Sequence, residues 1–98
     1  MTRRVSFYPM AEQELNDAAS YYNAHSPGLG HAFLDEVQRA VDQILEHPET
    51  APLVNRLVRR KLVPRFPYGV MYSLTPDSIR ILAIANPKRR PFYWRGRE

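Results

Sequence analysis

Seven residues near the end of the chain, Ile79-Arg80-Ile81-Leu82-Ala83-Ile84-Ala85, limit what it can fold into more than any other stretch. The run is nearly continuous in apolar, β-branched residues, the pattern of a central strand covered on both faces. It follows Thr75-Pro76-Asp77-Ser78, where proline at the second position suits a tight turn, so the preceding segment pairs with it as a hairpin. In that segment Tyr68, Val70, Tyr72 and Leu74 share one face, and Gly69, Met71 and Ser73 the other. Before it lies a basic run, Leu57 to Val63, in which apolar and cationic residues mix as in a strand with one packed and one displayed face.

One covering layer is legible upstream. After a short strand at Arg4 to Tyr8, Pro9 suits the first position of a helix, and Glu12 and Glu14 favour the positive end of its dipole. Ala11, Leu15, Ala18 and Tyr22 form a narrow, alanine-rich stripe, which implies close approach to another helix. Ser26-Pro27 has the form of a cap followed by a first helical residue, with Gly28 and Gly30 leaving the start of the second helix open. This helix runs to about His47 with Phe33, Val37, Ala40 or Val41, and Ile44 on one face, and Pro48 stops it. The short break makes the two helices an antiparallel hairpin over one face of the sheet. Nothing in the pattern identifies the cover of the other face.

With 98 residues the chain makes one domain, 1–98, burying roughly 60% of the surface of its unfolded form. No apolar run approaches the roughly 20 residues of a membrane-spanning helix, and no leader segment is expected. Zero cysteines exclude disulfides and thiolate metal sites. His25, His31 and His47 have no ligand-spaced partners, so neither metal nor cofactor is expected, and a cytoplasmic location fits. The net charge of +4 hides a strong polarity. Residues 1–50 carry three arginines against eight carboxylates, a charge of −5, and residues 51–98 carry eleven cations against two carboxylates, a charge of +9. A polyanion or an acidic protein would be drawn to the second half. The acidic helix residues are expected to form a solvated face.

Several segments together resemble the RelE/ParE family of toxins. They are Val5-x-Phe7-x-Pro9-x-Ala11-Glu12-x-Glu14-Leu15, Tyr21-Tyr22, Ser26-Pro27-Gly28-Leu29-Gly30, Phe33-Leu34-Asp35-Glu36-Val37, Arg65-Phe66-Pro67-Tyr68-x-Val70-x-Tyr72 and Arg89-Arg90-Pro91-x-Tyr93-Trp94. The resemblance spans essentially the whole chain in order. It implies an α+β fold of order β-α-α-β-β-β, a helical hairpin on a small, mainly antiparallel sheet. It also implies a bacterial type II toxin–antitoxin pair, in which a cognate antitoxin lays an acidic or amphipathic segment across sheet and helices. Operator DNA would be met through that complex.

Within the family, ParE-like members inhibit DNA gyrase and RelE-like members cut mRNA on the ribosome. Metal-free cleavage needs a base for the 2′-hydroxyl, a cation for the phosphorane and a proton donor. Arg59, Lys61, Arg65, Arg80, Lys88, Arg89 and Tyr93 offer those groups. RelE-like nucleases resemble one another in an arginine just after the aromatic residue that opens the third strand, where this chain has Gly69. The resemblance therefore favours a ParE-like inhibitor of gyrase, acting in growth arrest and plasmid stabilisation. A ribosome-dependent nuclease and a detoxified, DNA-autoregulating partner are the alternatives. The expected target or nucleic-acid surface is Arg59, Arg60, Lys61, Arg65, Lys88, Arg89, Arg90 and Arg95. Against this, Arg59, Arg60 and Lys61 would also serve simply to guard an outer strand, a surface role in which their joint replacement spares folding. Phe92, Tyr93 and Trp94 are expected to pack back on the sheet rather than stack on bases.

Overall fold

The computed structural model describes residues 3–97. Its elements are β1 (Arg4–Phe7), α1 (Pro9–His25), α2 (Leu29–Glu46), β2 (Val58–Leu62), β3 (Gly69–Leu74) and β4 (Ser78–Ala85), the α+β order expected. They build one sheet in the order β1-β4-β3-β2, with β1 parallel to β4 and the other pairs antiparallel. The apolar run at 79–85 thus lies inside the sheet. A parallel pair needs a long connection, and the helical hairpin together with β2 and β3 supplies it.

α1 begins with Pro9 as its first residue, and α2 ends at Glu46, capped by His47, whose N–H donates to Gln43 O before Pro48. The junction between the helices differs from the expectation. Ser26 caps the end of α1, its N–H donating to Tyr22 O at 2.9 Å, and Gly28, at φ +88°, precedes α2. Ser26 is already spent on closing the first helix, and the reversal that follows needs a left-handed residue, which glycine adopts without strain. Close helix approach, implied by the alanine stripe, is explicit at Gly30. A methyl group there would collide with the Ala19 carbonyl oxygen, and the Gly30 N–H donates to Asn23 Oδ1 at 2.8 Å.

Two cores lie on opposite faces of the sheet. On the helix side Phe33, Val37, Ala40, Val41 and Ile44 of α2 and Ala11, Ala18 and Ala19 of α1 pack on Val70, Tyr72, Ile79, Ile81 and Ile84. On the far side Val58, Met71, Leu82 and Ala83 are covered by Trp94, from the segment after β4. A bulge explains how four consecutive apolar residues serve both faces. Met71 pairs with Ala83 but Tyr72 pairs with Ile81, so Leu82 is the extra residue. The bulge turns Ile81 and Ile84 to the helices and Leu82 and Ala83 to the tail.

The α2–β2 connection is tied down from below. The Tyr72 hydroxyl donates to Pro48 O at 2.8 Å, and Arg59 Nη1 donates to Glu49 O and Ala51 O at 2.9 and 2.8 Å. The same loop runs back along the outer side of β2, with Val54 N donating to Val58 O and Arg60 N to Pro52 O. That covers part of an edge otherwise open to pairing. The β3–β4 hairpin is present as expected, and the Ser78 N–H donates to Thr75 Oγ1.

Two carboxylates expected on a solvated face are not there. Glu36 is 3% exposed and Glu14 is half-buried. Glu36 follows Phe33 by three residues and precedes Ala40 by four, so helical geometry carries it onto the packed stripe. Its charge is met by Arg39 Nη1 at 2.6 Å and Arg65 Nη1 at 3.6 Å.

Candidate functional site

Consecutive side chains on a strand point to opposite faces, and this divides the basic run of β2. Arg59 is paired with Tyr72 and Lys61 with Val70, both members of the helix-side core, so these two cations lie on the helix side. Arg60 and Leu62 lie on the other. The three consecutive cations expected to act as one surface are therefore not one surface. Arg59 is also committed to the 49–51 carbonyls, which makes it a structural clamp rather than a free charge.

On the tail side an open groove of about 670 Å³ runs between the sheet and the segment after β4. Its floor is apolar, with Val54, Gly69, Met71 and Trp94, and its two walls are Arg60 with Leu62 and Arg89, Arg90 with Phe92. Leu62 and Phe92 are 67% and 41% exposed, leaving apolar surface beside cations on both walls. Gly69 is bare for a reason: a Cβ there would lie 3.1 Å from Arg60 Cγ and 3.2 Å from Cδ, so the absent side chain makes room for the Arg60 stem. Arg95 lies outside the groove lining, with its guanidinium 5.1 Å from the centre of the Phe92 ring.

The remaining sequence candidates disperse. Arg65, at φ +71°, pairs with Glu36 on the helix side. Arg80 sits over the Tyr8 ring at 5.4 Å. Lys88 lines a second hollow of about 630 Å³ against α1, with Tyr21, Tyr22 and Asp17. Arg89 stacks 4.0 Å from the centre of the Tyr93 ring and borders both hollows. Of the eight cations expected to form a binding surface, the groove gathers Arg60, Arg89 and Arg90.

Sequence reasoning missed the pair that seats the tail. β4 extends past the end of β1, and after one more backbone bond, from Tyr8, side chains take over the hydrogen bonds there. Tyr8 N donates to Ile81 O at 2.8 Å, Arg97 Nη1 to Leu82 O at 3.0 Å, and Ile84 N to Glu14 Oε1 at 3.1 Å. Arg97, 8% exposed, lies 3.2 Å from Glu14 Oε2 and between the Tyr8 and Tyr93 rings at 5.4 and 5.2 Å. The Glu14 part was readable, since Glu14 stands three residues after Ala11 and four before Ala18, on the edge of the stripe. Arg97 carries no periodic signal. The Tyr93 hydroxyl is pushed up to about 12, first by burial and then by the charge and hydrogen bonding of Glu14, with Arg89 and Arg97 opposing. Burial likewise raises Tyr72, against the pull of Arg59.

Among the described residues, no group of three His, Asp or Glu side chains converges in a way that could hold a metal ion, and no helix is long and apolar enough to cross a membrane. No curated protein matches the chain. In fold it is similar to a chain of the chromosomal ParDE TA system from P. aeruginosa, with a TM-score of 0.76, 16% identity, and coverage of 87% of this chain and 96% of that one. The family described as the ParE toxin of type II toxin-antitoxin system, parDE, matches residues 5–91, nearly the whole described fold. The chain belongs to the ParE toxin family of type II toxin–antitoxin systems.

Proposed function

We propose that this toxin arrests growth by binding DNA gyrase through the groove between sheet and tail, and that an antitoxin neutralises it by laying an acidic, amphipathic segment across the same side. The observation that carries the reading is the groove itself. An apolar floor offers burial, and Arg60, Arg89 and Arg90 on its walls select an anionic, amphipathic contact. The site of action would be the cytoplasm, where the pair also meets its operator DNA.

Two features favour binding over mRNA cleavage. Arg59 and Lys61 lie across the sheet from Tyr93, so of the cleavage candidates only Arg89 meets the tyrosine, and it is stacked on the ring and drawn toward Glu14. The Tyr93 hydroxyl, raised to about 12, stays protonated at neutral pH and donates to Ile84 O at 3.4 Å, which makes it a poor general base.

A supercoiling assay with purified gyrase tests the proposal. The toxin is expected to reduce supercoiling, and the Arg60→Ala, Arg90→Ala double variant to reduce it far less. Undiminished supercoiling in excess wild-type toxin would overturn the gyrase reading.

A further inference from the structure

The two walls of the groove have different origins. Arg60 and Leu62 stand on a hydrogen-bonded strand, whereas Arg89 to Trp94 belong to an irregular segment. Backbone hydrogen bonds of this segment, such as Tyr93 N to Arg90 O and Arg97 N to Trp94 O, close turns within itself. Side chains tie it to the rest of the molecule. Trp94 enters the far-side core, Tyr93 reaches Ile84 O, and Arg97 reaches α1 and β4.

We propose that Glu14 of α1 and Arg97 are positioning residues that act as one latch, pinning the end of the tail so that Arg89 to Trp94 are held as the second wall of the groove. Arg97 Nη1 is the hub, within 3.3 Å of Glu14 Oε1, 3.2 Å of Oε2 and 3.0 Å of Leu82 O. Glu14 Oε1 in turn accepts from Ile84 N, so one carboxylate joins helix, strand and tail. Arg89 Nη1 lies 3.9 Å from Oε2, and this draws a groove residue toward the same carboxylate. The pair is largely withdrawn from water, so removing one charge leaves the other buried and unmatched, and the tail is the part free to leave. Trp94 lies three residues before Arg97, so release of the latch loosens the wall and opens Val58, Met71, Leu82 and Ala83 to solvent. The consequence for gyrase rests on the groove being the contact surface proposed above.

The chain contains one tryptophan, Trp94, and its fluorescence therefore reports the tail alone. Glu14→Gln keeps an acceptor for Ile84 N–H and removes the charge. This variant and Arg97→Ala are each expected to red-shift Trp94 emission and raise its acrylamide quenching several-fold, with helical circular dichroism preserved. Arg97→Lys should recover part of the protection. The Glu14→Gln, Arg97→Ala double variant should be no worse than either single one, as for two halves of one interaction. Unchanged quenching in both single variants would overturn the latch. If quenching rises but inhibition of gyrase by the same variants is unaltered, the coupling from latch to groove is overturned. If the groove variant Arg60→Glu also leaves inhibition intact, the fault lies in the groove as contact surface, and the Trp94 result supports the latch independently.

Discussion

The two faces of this sheet are sealed by different means. The helix side is covered by two regular helices whose apolar stripes interlock at Gly30 and Ala19, and its core runs continuously from Ala11 to Ile84. The tail side is covered by one tryptophan and a segment held through Tyr93, Glu14 and Arg97. Regular elements hold each other by backbone ladders and many small contacts, so their face opens only when the whole molecule does. A segment held by a few side chains can open alone, and such segments form the low-stability end of a fold where partners bind. The groove thus lies against the wall held through side chains.

The largest expected contrast comes from truncating one aromatic on each side. Phe33→Ala should cost about 3–5 kcal/mol in denaturant unfolding. Trp94→Ala should cost less, because its loss is capped by the free energy at which the tail opens; equal costs would show the two faces to be one cooperative unit. Next comes Arg59→Ala, which removes two charge-assisted hydrogen bonds to the 49–51 loop and should cost about 1.5–3 kcal/mol. This revises the expectation that Arg59, Arg60 and Lys61 can be replaced together without harm. Arg60→Ala alone should stay within about 0.5 kcal/mol of wild type.

Alkaline pH loads both faces, the helix side through Tyr72 and the tail through Tyr93, and the less firmly held one should respond first. The Tyr93 hydroxyl ionises at an ordinary 10.0 in the unfolded chain and at about 12 in the folded one, so the folded tail holds a proton the unfolded chain releases. Its contribution is intact below pH 10 and is lost as pH rises through 12. Trp94 emission should therefore red-shift in that window ahead of the loss of helical circular dichroism. Simultaneous loss of both signals would contradict a separately opening tail.

Much of the fold was legible because it rests on periodicity. The stripe of α2, Pro9 and Pro48 as boundaries, and the even-residue face of β3 each follow from local geometry. The bulge at Leu82 was not, since it is a property of how β3 and β4 pair. The tail aromatics were expected to pack on the sheet, which Trp94 does while Phe92 stays 41% exposed, but the tail was not identified as the second cover and its anchoring was not foreseen, because Glu14 and Arg97 meet across 83 residues of sequence and nothing in a coil repeats. For the groove, Arg60, Arg89 and Arg90 were among the expected cations, but Arg59, Lys61, Arg65, Lys88 and Arg95 were drawn in with them, and Arg80 was added as a cleavage candidate. For β2 the strand alternation that sorted β3 correctly would have separated Arg59 and Lys61 from Arg60. Arg65 and Arg80 needed their partners, Glu36 and Tyr8, to be seen in space.

That alternation supplies the most direct test of the groove as the working surface. Arg60→Glu and Lys61→Glu are the same change at adjacent positions on opposite faces, and both variants should match wild type in thermal unfolding to within about 0.5 kcal/mol. Colony formation after induced expression without antitoxin should recover with Arg60→Glu and stay suppressed with Lys61→Glu. Equal loss of toxicity in the two, or loss with Lys61→Glu alone, would contradict the account.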